Sequence, residues 1–286
     1  MIARSAATSR TPSQGAGAAA SELPGSPLIA SESGSWREYT RGVQALRLTA
    51  TALFIVALPV FLVLTSVRVA ALWPRVHEYS FARYDAATVT GVERAELDRA
   101  AREIIDYFRN DEELLHIEVT VDGEQEALFN EREVLHMRDV KVLMQATFRV
   151  HEVAFAILVV YVTASFLLAR REALAQLANQ LRIAGGLTVA LLGVAAVAVL
   201  VGFDDLFRQF HVISFANDLW KLSPARDHLI QMYPRGFWFD VTLAVGLLSA
   251  LAGAALALAG QWYLGYEQRK WRRAPGEQAG EAERAG

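Results

Sequence analysis

The sequence has no cysteine among its 286 residues. Disulfide bonds, thiolate metal sites and a cysteine nucleophile are therefore excluded, and cysteine gives no evidence about the compartment. The HExxH spacing that zinc hydrolases place on a helix is also absent. Basic residues are scarce in segment 74–148, which carries 17 acidic and 9 basic side chains. That segment offers no basic surface for a nucleic acid.

Apolar sequence, in contrast, is abundant. Hydrophobic residues make up 53% of the chain, and the mean hydropathy of +0.23 is too high for an ordinary soluble domain. Four stretches have about the 20 helical residues that cross a bilayer, at 46–67, 150–169, 183–203 and 237–260. Since a helix satisfies its own backbone groups in hydrocarbon, the sequence predicts an all-α membrane protein with four transmembrane helices.

The charges that flank these stretches predict the topology. Three flanking segments are basic, and their basic residues are Arg37, Arg41, Arg47, Arg170, Arg171, Arg182, Arg269, Lys270, Arg272 and Arg273. By the positive-inside rule, both termini are cytoplasmic, and segments 74–148 and 204–236 are extracytoplasmic. Residues 1–35, rich in Ala, Ser, Gly and Pro, are predicted to form a disordered cytoplasmic tail. Residues 267–286 are predicted to form a second cytoplasmic tail.

The first extracytoplasmic segment has the patterns of a small α/β fold. Thr90 and Glu93 have the spacing of a capping box. Apolar residues then recur at helical intervals, namely Leu97, Ala101, Ile104, Ile105 and Phe108. These patterns predict an amphipathic helix that ends near Asn110.

A hairpin and a second helix are predicted next. Residues 117–121 alternate like a strand, and Asp122-Gly123 is a strong turn pattern that leads into residues 124–128. Asn130 and Glu133 then repeat the capping spacing. They mark the start of a helix that can continue into the second span.

If that helix is continuous, its length determines how far His136 lies from the hydrocarbon of the membrane. Val153 follows His136 by 17 residues, which is about 25 Å along a straight helix. His136 would then stand well above the hydrocarbon, unless the helix breaks or the second span begins earlier. A break, or a buried polar network, is expected at Arg149, His151 and Glu152.

A first cluster of candidate functional residues lies on this helix. Its members are Glu131, Glu133, His136, Asp139 and Lys141. Glu133 precedes His136 by three residues and Asp139 follows it by three, so either carboxylate can reach the imidazole. Alternatively, Glu133 only caps the helix and the other charged residues form a solvated face. Spacing alone leaves both interpretations open.

A second cluster lies in segment 204–236, which is dense in polar and aromatic side chains. The residues best suited to chemistry are His211, Asn217, Asp218, Trp220 and Asp227. Interfacial anchoring alone can explain Trp220, and Asn217 and Asp227 can equally belong to turns or helix caps. His211 is either a functional residue or a hydrogen-bonded structural histidine.

Both clusters lie within motifs that resemble a known family. Residues 129–141 read FNEREVLHMRDVK, and residues 210–230 read FHVISFANDLWKLSPARDHLI. Together with Tyr84-Asp85 and Thr90-Gly91, these motifs resemble the lipoprotein intramolecular transacylases, which are bacterial four-helix membrane proteins. The resemblance extends over roughly residues 45 to 265.

The resemblance implies an enzyme of the cell membrane with its active site on the extracytoplasmic face. Such an enzyme moves the sn-2 acyl chain of a diacylated lipoprotein to the α-amino group of the N-terminal cysteine, which gives the lyso-form lipoprotein. Membrane lipid is the second partner, and no cofactor or metal is implied. The family's histidines correspond to His136 and His211. The resemblance does not extend to the remaining histidines, which are His77, His116, His151 and His228.

The residues suit that reaction. An α-amino group has a pKa of about 7.7 to 8.0, so a base must remove its proton before it attacks an ester, and a histidine can do so. Either His136 or His211 is expected to be the base, with the other orienting the substrate or donating to the oxyanion. The expected supporting roles are oxyanion donation by Asn217, Lys141 or Trp220, orientation of His136 by Glu133 and Asp139, and orientation of His211 by Asp218.

Two other function classes remain open. His136, His211 and nearby carboxylates could be ligands of a membrane metal-dependent hydrolase, although the usual zinc spacing is absent. A non-enzymatic alternative is a sensor or a transport protein. Transport favours ionisable residues deep inside several spans, and such residues are sparse in this sequence.

Overall fold

The computed structural model describes residues 28–121, 123–169 and 172–284. Eight helices and one hairpin follow each other along this part of the chain: α1 (Leu28–Leu72), α2 (Pro74–Arg83), α3 (Ala86–Thr90), α4 (Arg94–Tyr107), β1 (Glu118–Val121), β2 (Glu124–Ala127), α5 (Glu131–Ala169), α6 (Ala173–Ser214), α7 (His228–Met232) and α8 (Arg235–Arg284). Most of the predicted N-terminal tail lies outside the described residues. Its described residues, 28–35, are the first residues of α1.

Four of the helices confirm the predicted spans. The helices that are long and apolar enough to cross a membrane are Tyr39–Leu72, Glu131–Leu168, Ala173–Ser214 and Arg235–Lys270. They have 34, 38, 42 and 36 residues, so each exceeds the roughly 20 residues that a bilayer requires. Each helix therefore continues beyond the hydrocarbon at one end or both.

The expected break in the second span is not found. Helix α5 runs unbroken from Glu131 to Ala169, because it contains neither glycine nor proline. A polar network is present instead, since α1 supplies partners for the polar residues of α5. Thr65 is hydrogen-bonded to His151 at 2.9 Å, and Arg68 forms an ion pair with Glu152 at 3.1 Å.

Helices α6 and α8 pack closely and antiparallel through small residues. A side chain on Gly185 would overlap the backbone of Gly253, and a side chain on Gly260 would overlap the backbone of Ala178. Gly253 in turn leaves room for Thr188, whose Cβ would lie 2.8 Å from a Cβ at position 253. Small residues are what allow transmembrane backbones to approach this closely.

Gly185→Leu is expected to destabilise the protein strongly, because the new side chain meets backbone that cannot move aside. Overpacking of a core typically costs about 1 to 3 kcal/mol, and a clash with backbone belongs at or above that range. The melting temperature in detergent measures the effect. The matched control is Gly186→Leu, because nothing lies within 4 Å of a Cβ at that neighbouring position. Equal losses in the two variants would contradict this packing.

The predicted amphipathic helix of segment 74–148 is confirmed as α4. All five predicted apolar residues are buried, and Leu97, Ala101, Ile104 and Phe108 share one core with residues of the hairpin and of α7. The predicted capping box is wrong, because Thr90 and Gly91 end the preceding helix α3. Thr90 Oγ1 donates to the carbonyl of Ala86 at 2.7 Å, and Gly91 has a φ of 72°, a conformation typical of helix C-termini. Glu93 precedes α4 without a side-chain capping bond.

The hairpin and the second capping pair are confirmed. Strands β1 and β2 are antiparallel, with Val121 opposite Glu124, and Gly123 takes a φ of 88° in the turn. At the start of α5, the backbone N–H of Asn130 donates to Glu133 Oε2 at 2.9 Å, and the N–H of Glu133 donates to Asn130 Oδ1 at 3.2 Å. This reciprocal pair is a complete capping box.

Segment 204–236 differs from the predicted loop. Helix α6 continues to Ser214, past an interior residue with non-helical torsions, Gly202. The apolar residues Phe203, Leu206, Phe207 and Phe210 recur at helical intervals and explain the extension. His211 therefore lies on the last turn of α6, close to the N-terminal part of α5.

Candidate active site

Two histidines from separate motifs meet at one end of helices α5 and α6. His136 lies near the start of α5 and His211 near the end of α6, and their ring centroids are 6.4 Å apart. Both are buried, at 6% and 9% exposure. The structure thus brings together the two histidines that the sequence singled out.

His211 has a defined tautomer. Its Nδ1 lies 2.7 Å from the carbonyl oxygen of Phe207, which can only accept, so Nδ1 carries the proton of the neutral ring. The lone pair is then on Nε2, which no described residue hydrogen-bonds. Aromatic rings surround the imidazole at centroid distances of 4.4 to 5.7 Å, and they belong to Phe207, Phe210, Phe215 and Trp220.

His136 lacks such a partner. Its Nδ1 is buried and has no hydrogen bond within the described part of the chain, and its ring meets Phe215 edge to face at 5.2 Å. The expected hydrogen bonds from Glu133 and Asp139 to this imidazole are not present there. Both carboxylates instead bind partners that lie far away in the sequence.

Glu133 joins the start of α5 to the start of α7. Its side chain is 1% exposed, and its Oε1 accepts from the backbone N–H of Leu229 at 2.6 Å while Oε2 accepts from that of Asn130. The carboxylate is therefore a structural link, as the capping alternative predicts, and it also connects the two motifs.

The segment after α6 is attached to α5 through several side chains. Asn217 Nδ2 donates to Asp139 Oδ2 at 2.8 Å. Asn130 Nδ2 donates to Asp227 Oδ1 at 3.0 Å, and Asp227 Oδ2 accepts from the N–H of Ser223 at 2.6 Å. Asp227 is thus a buried turn residue, and Asp139 positions Asn217.

The proposed orientation of His211 by Asp218 is also not found. Asp218 Oδ1 forms an ion pair with Lys221 at 2.7 Å, and both side chains are mostly exposed. The orienting acceptor is the carbonyl of Phe207, four residues earlier on the same helix. Sequence patterns did not indicate it, because every residue has a carbonyl and only the helical course of α6 brings this one to Nδ1.

Of the three expected oxyanion donors, Lys141 and Asn217 bind other groups, and Trp220 lies beside His211. Lys141 donates to Asn110 Oδ1 at 2.8 Å and to the carbonyl of Glu112 at 2.5 Å, and it lies 4.0 Å from the ring centre of Tyr107. It therefore holds the segment after α4. The amide of Asn217 is engaged by Asp139. Trp220 lies 5.0 Å from His211, and its indole N–H has no partner among the described residues.

His77, to which the resemblance assigned no role, has both ring nitrogens hydrogen-bonded within the protein. Its Nε2 donates to the carbonyl of Ala71 at 3.1 Å, so its Nδ1 accepts from the hydroxyl of Tyr233 at 2.9 Å. Burial lowers the pKa of His77 below its usual range. The ring is therefore a neutral link between α2 and the segment before α8.

The described residues contain no group of three His, Cys, Asp or Glu side chains that could hold a metal ion. The carboxylates nearest to the histidines are bound to Asn130, Leu229 and Asn217. The alternative of a metal-dependent hydrolase therefore gains no support from this geometry.

Comparison with solved structures shows the fold. The chain superposes on the membrane integral lipoprotein intramolecular transacylase Lit from Bacillus cereus with a TM-score of 0.66 and 17% identity, over 79% of this chain and 99% of the other. A variant of that protein with a histidine-to-arginine substitution gives 0.64, also at 17% identity, over 82% and 98%. Together with its four apolar helices, this fold identifies a multi-pass membrane protein.

Sequence comparison gives two further matches. An uncharacterized protein of Aquifex aeolicus (strain VF5) is 30% identical over 132 residues, which are 46% of this chain and 56% of that protein. The match thus spans little more than half the length of this relative. The profile of the lipoprotein intramolecular transacylase Lit family matches residues 52–238. Since these are well over half of the 286 residues, the chain belongs to the lipoprotein intramolecular transacylase Lit family.

Proposed function

We propose that this protein is a lipoprotein intramolecular acyltransferase. It moves the sn-2 acyl chain of the diacylglyceryl group to the α-amino group of the N-terminal cysteine, and the product is a lyso-form lipoprotein. The observation that carries the proposal is the approach of His136 and His211 to 6.4 Å, with the tautomer of His211 fixed. Membership of the transacylase family supports the reaction class.

His211 is the general base in this proposal. Its Nδ1–H is held by the carbonyl of Phe207, so Nε2 can accept the proton of the substrate ammonium group. The neutral amine attacks the ester carbonyl carbon and forms a tetrahedral oxyanion. Collapse breaks the bond to the sn-2 oxygen, and the imidazolium of His211 gives its proton to that oxygen. The freed Nε2 then accepts the second proton of the attacking nitrogen, which leaves a neutral amide, and passes that proton to solvent.

His136 is the oxyanion donor. A buried acceptor without a partner costs less than a buried N–H without one, so the unpaired Nδ1 of His136 favours the tautomer that carries its proton on Nε2. That Nε2–H can donate to the developing oxyanion, with the indole N–H of Trp220 as the second donor.

Nucleophile and ester belong to the same substrate molecule, so the protein need not supply a nucleophile. Holding the reacting groups in an attack geometry can contribute several kcal/mol, about 7 to 11 in the best intramolecular cases. A mechanism without a protein nucleophile agrees with a site made of two histidines and aromatic rings. The substrate and the surrounding membrane lipid are the only partners required, and no cofactor is needed.

The proposed site faces the extracytoplasmic side. The first turn of α5 and the last turn of α6 lie together, and the connection between these helices at the other end carries Arg170 and Arg171. Positive residues mark the cytoplasmic side. Both termini are then cytoplasmic, and the histidines lie where lipoprotein acyl chains enter the outer leaflet.

The test uses a synthetic diacylated lipopeptide with an isotope label in its sn-2 acyl chain and the purified protein in lipid vesicles. Intramolecular transfer conserves the mass of the lipopeptide, so fragmentation in tandem mass spectrometry must locate the label. We expect the label in an amide on the cysteine nitrogen. Label that stays in the ester contradicts the proposal, and label released as free fatty acid favours the hydrolase alternative.

A further inference from the structure

Arg132, on the first turn of α5, contacts the segment that follows α6. Its Nε donates to the carbonyl of Leu219 at 3.3 Å, and its Nη2 donates to the carbonyl of Asp218. Four residues separate Arg132 from His136, so both side chains project from the same face of the helix. Arg132 lies inside the first motif, but its spacing in the sequence indicates no role for it.

A single side chain that binds two consecutive carbonyls must present two N–H groups side by side. The planar guanidinium group supplies them in a fixed geometry, whereas a lysine ammonium group is a single point of charge. The same segment has two further attachments, from Asn217 Nδ2 to Asp139 and from the N–H of Leu219 to Asn217 Oδ1 at 3.0 Å. The backbone is therefore fixed at the three residues that precede Trp220.

The indole N–H of Trp220 has no hydrogen bond within the described chain, and the residue's backbone carbonyl accepts from the N–H of Leu222 at 2.9 Å. Its ring lies 5.0 Å from the ring of His211, at an interplanar angle of 32°. The position of the indole is therefore determined by packing and by the backbone that Arg132 holds. We propose that Arg132 is a positioning residue, which keeps Trp220 against the imidazole of His211 by binding the backbone carbonyls of Asp218 and Leu219.

This inference deepens the proposed function, and its effect on catalysis rests on that function. Without the Arg132 contacts, the carbonyl of Leu219 loses its donor and that of Asp218 keeps only the N–H of Lys221 at 3.2 Å. The segment before Trp220 is then held to α5 less firmly, and the indole moves away from His211. The imidazole then becomes more accessible, and the oxyanion loses its second donor. Arg132→Gln should therefore lower kcat for acyl transfer more than it raises KM, because the loss concerns a contact made in the transition state.

The decisive readout does not depend on activity. Diethylpyrocarbonate modifies the unprotonated nitrogen of histidine, and peptide mass spectrometry gives the modification rate of His211, with exposed His116 as the internal reference. We expect Arg132→Gln to raise the relative rate of His211 several-fold, and Arg132→Lys to raise it less. The matched control is Arg208→Gln, which removes an exposed arginine one turn before His211.

A double-variant cycle completes the test. The single substitution Trp220→Leu should raise the reactivity of His211. Adding Arg132→Gln should change that reactivity little further, because both substitutions remove the indole from the imidazole of His211. Additive effects, or an unchanged rate in both Arg132→Gln and Arg132→Lys, would overturn the inference. If acyl transfer is absent from the wild-type protein while the reactivity changes occur, the proposed function fails and the positioning role stands.

Discussion

His136→Leu is expected to abolish acyl transfer without a loss of stability. Removing a general acid–base group or an oxyanion donor typically costs about 10² to 10⁴ in rate. Stability should be unchanged or slightly higher, because Nδ1 of His136 is buried without a hydrogen bond to any described residue, and an unpaired buried group costs roughly 1 to 3 kcal/mol. The rate of label transfer to the amide and the melting temperature in detergent measure the two effects.

His211→Leu provides the contrast on the other helix. It should remove the activity equally well but lower the melting temperature, because the carbonyl of Phe207 loses the side-chain donor that it has in addition to its helical backbone bond. A large drop in melting temperature for His136→Leu would show that Nδ1 has a stabilising partner. Retained activity in either variant would remove that histidine from the proposed mechanism.

Glu133→Ala is expected to have the largest effect on stability among single substitutions near the site. The carboxylate accepts from the backbone N–H groups of Leu229 and Asn130, and both donors would be left without partners. The unpaired N–H of the buried Leu229 costs about 1 to 3 kcal/mol, and the only partly buried N–H of Asn130 adds a smaller loss. The melting temperature of the purified protein in detergent measures the loss.

Two further variants test this expectation at the same place. Glu133→Gln keeps one side-chain oxygen that can accept from one of the two donors, so its loss should be intermediate. Glu131→Ala is the matched control, because Glu131 is an exposed acidic residue on the same first turn. It should lose only its interaction with the helix dipole, about 0.3 to 1 kcal/mol. Similar losses for Glu131→Ala and Glu133→Ala would contradict the assigned role.

Features that depend on neighbours in the sequence could be predicted. The capping pair of Asn130 and Glu133, the hairpin turn at Gly123 and the buried face of α4 all follow from spacing over a few residues. The four spans follow from apolar length. Helix α2 also has a local signal, because Pro74 occupies its first turn, but its apolar pattern is too short to stand out.

The partners of the site residues could not be predicted from spacing. Glu133 and Leu229 are 96 positions apart, and Asn217 and Asp139 are 78 apart. A carboxylate three residues from His136 can reach the imidazole, but it binds the partner that the tertiary structure brings closer. The two histidines predicted to share a site therefore lie close together, but the hydrogen bonds predicted between them and nearby carboxylates do not form.

The division of the site between α5 and α6 has a consequence for biosynthesis. His136 lies in the first half of the chain and His211 in the second, and Glu133 of the first half binds the backbone of α7 in the second. A nascent chain that has inserted only α1 and α5 therefore holds one of the two site histidines, and its Glu133 lacks the bond to Leu229. In the proposed mechanism, catalytic competence therefore arises only after the later helices have entered the membrane and paired, and we expect no acyl transfer by a partly synthesised chain.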